Sequence, residues 1–119
     1  MSDNVNLKFR AFSDPIRLRI LHLLQQGEIC VGDLVRILDV PQPTASRHLG
    51  YLRDAELVVV RKEGRWAFYS LAEVTNSFHK SLLDCLGTCF IEVPELMEDA
   101  ARLKELRESG EACCSQPET

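Results

Sequence analysis

The stretch from Gln42 to Val58, QPTASRHLGYLRDAELV, decides how the rest of this chain is read. Pro43 suits the first turn of a helix, where its missing N–H costs no hydrogen bond. Ala45, Leu49 and Leu52 then recur at spacings of four and three, the period of a buried stripe on a helix running to about Ala55. Its other face carries Thr44, Ser46, Arg47, Tyr51 and Arg53. Just upstream, VGDLVRIL (31–38) predicts a shorter helix with Leu34, Ile37 and Leu38 apolar, closed by the turn-like Asp39-Val40-Pro41. Two short helices therefore meet across a tight turn.

Downstream the period changes. LVVVRK from Leu57 is β-branched, Glu63-Gly64 reads as a turn, and RWAFYSL alternates apolar and polar residues as a second strand. The product is a β-hairpin with Arg61, Lys62 and Arg65 at its tip. Towards the N-terminus, Asp14-Pro15 reads as an N-cap with proline at the first helical position. The helix it opens runs from Pro15 to Gln26 and stops at Gly27, with Ile16, Ile20, Leu23 and Leu24 on one stripe; Leu7 to Phe12 forms another short helix before it. Beyond Ala72 the helical period returns with Phe78, Leu82, Leu83 and Leu86 before Gly87. It returns again from Pro94 to about Ser109 with Leu96, Ala100, Leu103 and Leu106. The apolar stripes at both ends suit either a dimer surface or the chain's own core. The predicted fold class is mainly α with a β-hairpin, a winged helix-turn-helix over residues 1–110, followed by a flexible cysteine-containing tail over 111–119, EACCSQPET.

At 119 residues, with 45% hydrophobic and 27% charged, the chain suits one soluble globular domain. No apolar run approaches the roughly 18 to 20 residues of a membrane span. The opening MSDNVNLKFR has neither the apolar core nor the small-residue cleavage site of a secretory signal, so the expected compartment is the cytoplasm. There, the odd set Cys30, Cys85, Cys89, Cys113 and Cys114 reads as reactive or metal-binding thiols rather than disulfide bridges. The net charge of −4 hides an asymmetry: residues 1–72 carry ten Lys/Arg against eight Asp/Glu, and residues 73–119 carry four against ten. The front half can dock phosphates if its charges gather on one face, with the acidic half pointing away.

A helix pair followed by a basic-tipped hairpin has the order of a winged helix-turn-helix, whose second helix enters the major groove of DNA. Thr44, Ser46 and Arg47 sit near that helix's N-terminus, where side chains and backbone amides approach phosphates and base edges together. Gln42 and His48 add candidate contacts, His48 serving equally well as a boundary residue. On the hairpin, Arg61, Lys62 and Arg65 surround a tip narrow enough to follow a backbone or probe a minor groove. The small basic excess makes one copy a weak, salt-sensitive binder, so a homodimer on a two-part site is the natural solution. An enzyme reading finds little: Cys85 and Cys89 have C-x₃-C spacing rather than the redox C-x-x-C, and neither a phosphate loop nor a nucleophilic triad stands out.

FSDPIRLRILHLL, EICVGDLV, QPTASRHLGYLRDAELV and EGRWAFYSL resemble, in that order, the ArsR/SmtB family of metal- and metalloid-responsive winged-helix repressors. The resemblance covers nearly the whole chain. It implies a homodimer joined through the first and last helices, repression at an operator, and release of DNA when an inducer binds, with no cofactor needed for DNA binding. The best-known arsenite and heavy-metal sensors of the family carry C-V-C-D-L at the first helix of the helix-turn-helix; here Cys30-Val31-Gly32-Asp33-Leu34 lacks the second thiol, leaving Cys30 as either a ligand or a small boundary residue. The family's zinc-type site needs paired Asp/His and His/Glu ligands; His79 stands without them and reads as a surface or dimer-boundary histidine.

Cys85, Cys89 and the vicinal pair Cys113-Cys114 remain. The first two share a face if the helix continues through Gly87, and lose that alignment if it breaks there. Two or three converging thiolates suit a soft species such as trivalent arsenic or antimony. The expected site combines Cys113 and Cys114 with Cys89 or Cys85, with arsenite or antimonite as inducer, in keeping with arsenic-responsive members whose cysteines lie near the C-terminus. The alternative is a thiol redox or persulfide-responsive regulator of the same fold.

Overall fold

The computed structural model describes residues 3–88 and 93–109. In chain order the elements are α1 (Asp3–Phe12), α2 (Pro15–Leu24), β1 (Ile29–Cys30), α3 (Val31–Leu38), α4 (Gln42–Asp54), β2 (Val58–Glu63), β3 (Trp66–Leu71), α5 (Ser77–Thr88) and α6 (Pro94–Ser109). The start of α2 is as expected: the Asp14 carboxylate accepts hydrogen bonds from the backbone N–H groups of Ile16 at 2.9 Å and Arg17 at 3.1 Å. Gly27, at φ +113°, supplies the left-handed residue that turns the chain towards β1.

Buried leucines and isoleucines of α2 (Ile20, Leu21, Leu23, Leu24) meet Leu34, Ile37 and Leu38 of α3 and Leu49 and Leu52 of α4 in one cluster. That cluster holds the two helices of the helix-turn-helix at their mutual angle. The turn between them rests on Asp39, which adopts φ 55°, ψ 49° and ends α3 with its N–H donating to Val35 O at 2.9 Å. Asp tolerates this left-handed conformation better than most residues because its short polar side chain bonds locally.

Four details depart from the sequence expectation. Helix α1 begins at Asp3, a turn before Leu7. Ile29 and Cys30 form a two-residue strand, too short to show a period, that pairs antiparallel with β3 in a sheet of order β1-β3-β2. The hairpin turn falls at Gly64-Arg65 rather than Glu63-Gly64, because Glu63 pairs with Trp66 and Gly64 takes φ 59°, the positive value a tight hairpin needs at its first central position. Finally, α2 ends at Leu24, two residues short of Gln26, while α5 takes the first of its two open alternatives and continues through Gly87 to Thr88.

The apolar stripe of the last helix belongs to the chain's own core. Leu96 and Leu103 are buried, and α6 packs against α2 and α3. Asp99, 3% exposed, is gripped by Arg19 through Nε at 2.8 Å and Nη2 at 2.9 Å. A buried carboxylate needs such a fork. Among the described residues, no helix is long and apolar enough to cross a membrane.

Candidate nucleic-acid interface

The sequence of α4 divides the helix cleanly between core and solvent. Ala45, His48, Leu49, Leu52 and the capping Ala55 point inward, while Gln42, Ser46, Arg47 and Arg53 are exposed and Thr44 is partly so. The expected contacts Gln42, Thr44, Ser46 and Arg47 thus lie together on the first two turns. There the free N–H groups and the positive end of the helix dipole also favour an anion.

His48 belongs to the other side. It is 8% exposed, with Nδ1 3.4 Å from Arg17 Nη1 and 3.9 Å from an Asp14 carboxylate oxygen. Burial, with Arg17 and Arg47 nearby, lowers its pKa against the opposing pull of Asp14. Its position fits the boundary role, wedged between α2 and α4.

Arg17, which the sequence reading passed over, organises this corner. Its guanidinium lies 4.1 Å from the centre of the Tyr51 ring and donates to Ala11 O at 3.3 Å and Arg10 O at 2.9 Å, closing the C-terminal end of α1. A sequence signal existed only in retrospect: an arginine early in α2 one turn below a capping aspartate.

On the wing, Lys62 and Arg65 are exposed as expected. The Arg65 guanidinium lies 5.0 Å from the Trp66 ring centre. Arg61 behaves differently from its neighbours. It is bound to Glu28 by Nε at 3.1 Å and Nη2 at 2.7 Å, and to Glu63 by Nη1 at 2.6 Å. These acceptors raise its pKa further, and Arg61 lowers that of Glu28.

Of the expected thiol ligands, Cys85 is half-buried on α5 and is not disulfide-bonded. Cys89, Cys113 and Cys114 lie outside the described residues. Cys30, 2% exposed where β1 runs into α3, is in a disulfide, which corrects the expectation of five unbridged thiols. His79 is not at the surface as expected but fully buried within the chain, its Nδ1 3.4 Å from the backbone N of Thr75. Among the described residues no three His, Cys, Asp or Glu side chains cluster as a metal site.

The helix-turn-helix coincides with a family match. Residues 14–60 fit the model described as "Bacterial regulatory protein, arsR family". Over 107 residues the chain is 36% identical to the arsenical resistance operon repressor of Escherichia coli K12, covering 88% of this chain and 92% of that one. The chain belongs to the ArsR family. Members are DNA-binding transcriptional regulators, and the winged helix described above is the ArsR fold. HlyU from Vibrio cholerae N16961 superposes with a TM-score of 0.67 at 29% identity, over 77% of this chain and all of that one. The homodimeric winged helix-turn-helix domain of Mb0332 from Mycobacterium bovis does so with a TM-score of 0.62 at 28% identity, over 81% of this chain and 83% of that one.

Proposed function

We propose that this ArsR-family chain is a cytoplasmic transcriptional repressor that binds a two-part operator as a homodimer and releases it when trivalent arsenic or antimony is captured by cysteine thiolates. The identity to an arsenical resistance repressor over nearly the full length of both chains is the observation that carries this reading. Gln42, Thr44, Ser46 and Arg47 would read DNA from α4, and Lys62 and Arg65 from the wing. Cys113 and Cys114, on a tail of residues 111–119, would hold the inducer together with Cys89 or Cys85. Continuity of α5 through Gly87 supports the second pair, since residues 85 and 89 share a face of any helix that reaches both. The dimer would form through the first and last helices, α1 and α6; on α1, Phe9 is 56% exposed and meets Phe78 of the same chain at a tilt, with ring centres 5.1 Å apart. Thiolate is the binding form, so uptake would release protons and strengthen as pH rises.

Capture lowers operator affinity only to the extent that the inducer prefers the released dimer. The test is fluorescence anisotropy of the reduced protein on DNA upstream of its own gene, titrated in parallel with arsenite, antimonite, zinc and a disulfide-forming oxidant. Release by arsenite or antimonite, and not by zinc, is expected. The disulfide at Cys30 favours one second reading, a regulator switched by thiol oxidation or persulfide. Release by oxidant alone would select it.

A further inference from the structure

Arg61 lies in the strand that leads to the wing tip, yet its guanidinium faces backwards. Two of its nitrogens form a fork on the Glu28 carboxylate, the third meets Glu63, and the plane lies 4.5 Å from the centre of the Phe68 ring, its cross-strand partner. Glu28 is held from its other end: its backbone carbonyl accepts from Arg107 Nη2 at 3.1 Å, while Arg107 Nη1 reaches Gln26 O at 3.2 Å. Arg107 belongs to the last turn of α6. One turn or so earlier, Arg102 of the same helix donates to Ile37 O at 2.9 Å and Arg36 O at 3.2 Å, closing the C-terminal end of α3. Helix α6 therefore grips the reading head at two points, the back of the helix-turn-helix and the root of the wing.

We propose that Arg107, Glu28 and Arg61 form a relay through which the last turn of α6 sets the position of the wing on DNA, with Arg61 a positioning residue rather than a phosphate contact. Both arginines act through two-pronged contacts, which fix orientation as well as distance. A single exposed ion pair would add little to stability. Its value here is directional, because Glu28 is anchored by backbone to α6 and by side chain to β2. In sequence, Cys113 and Cys114 follow Ser109 by four and five residues, so an inducer held there would act close to Arg107 along the chain. The inducer part of the relay rests on the function proposed above; the wing part does not.

Glu28→Gln separates the relay from plain electrostatics by sign. Removing a negative charge beside DNA and liberating Arg61 should tighten operator binding if charge alone governs. The relay predicts the reverse, a loss of about fivefold, at the low end of coupling between linked sites. Arg61→Gln should weaken binding while leaving the slope of log affinity against log salt unchanged, whereas Lys62→Ala lowers that slope by about one. Arg107→Lys keeps the charge and loses the fork, so it should weaken inducer-free binding and shrink the ratio of affinities with and without arsenite. Tighter or unaltered binding by Glu28→Gln, a slope lowered by Arg61→Gln, or an unaltered Arg107→Lys would each overturn the relay. Arsenite uptake is followed separately by ultraviolet absorbance of arsenic–sulfur bonds. If the parent protein takes up none, the proposed inducer fails, and the three inducer-free comparisons still decide the wing relay.

Discussion

Arg47 is exposed on the second turn of α4, on the face that presents Gln42 and Ser46 to solvent. Truncating it should leave the fold intact. Arg47→Ala is expected to weaken operator binding by about 1 to 3 kcal/mol, the worth of a good base or phosphate fork, with an unchanged urea midpoint. The three histidines make a contrasting prediction. Burial comes first among the causes that hold His22, His48 and His79 below their ordinary pKa of 6.5. The unfolded chain then binds more protons than the folded one, so the stability these rings contribute is present above 6.5 and falls away as pH drops through the lower, folded values. Urea titrations at about pH 7.5 and about pH 5.5 should show a lower midpoint at the acid value, and His79→Gln should lessen the difference. At this scale the sequence was informative where a side chain's role follows from helical period. Arg47 is outward because residues 45, 49 and 52 are inward. It was silent where role depends on a partner far along the chain: Arg61 and Lys62 are adjacent basic residues, and only Glu28, 33 positions earlier, tells them apart.

Among elements, α4 carries a glycine at its centre that the fold does not require. A Cβ built on Gly50 meets nothing within 4 Å, and its φ is not positive. Glycine inside a helix costs about 0.5 to 1 kcal/mol relative to alanine, so Gly50→Ala should stabilise the protein by that amount in urea denaturation. The element boundaries of α3 and α6 were legible because proline and glycine mark them, and the existence of both hairpin strands because the period changes there. β1 was not: its two residues gain strand character only from Tyr69 and Phe68 opposite. The hairpin turn slid by one residue for a similar reason, since Glu63-Gly64 and Gly64-Arg65 differ only in which register the partner strand allows.

For the whole molecule, Cys113 and Cys114 stand at the end of the sequence and the reading head at its middle. Replacing Cys113 and Cys114 together by serine should abolish arsenite-induced release while leaving operator affinity within about twofold of the parent, as expected for substitutions outside the contact surface. Anisotropy with and without arsenite reads both quantities; lost DNA binding would instead make the tail structural. The sequence told apart the acidic C-terminal half and the basic reading half, and the comparisons agree with the family it resembled. It did not tell whether the stripe of α6 was core or interface. Leu96 and Leu103 look the same in either role until Arg19 is seen reaching Asp99, 80 positions away.

The pairing of Ile29 with Tyr69 and of Cys30 with Phe68 closes the chain on itself around the whole reading head. Everything between those contacts, both helices of the helix-turn-helix and most of the hairpin, is the interior of one cinched loop of about 40 residues, a span whose closure entropy grows only slowly with length. A loop tied at its neck does not fray from an end. Adjacent residues of an antiparallel strand alternate in facing the partner, so the one amide of Ile29 and Cys30 that faces β3 should exchange with deuterium far more slowly than its neighbour, at the rate at which the neck of the loop opens.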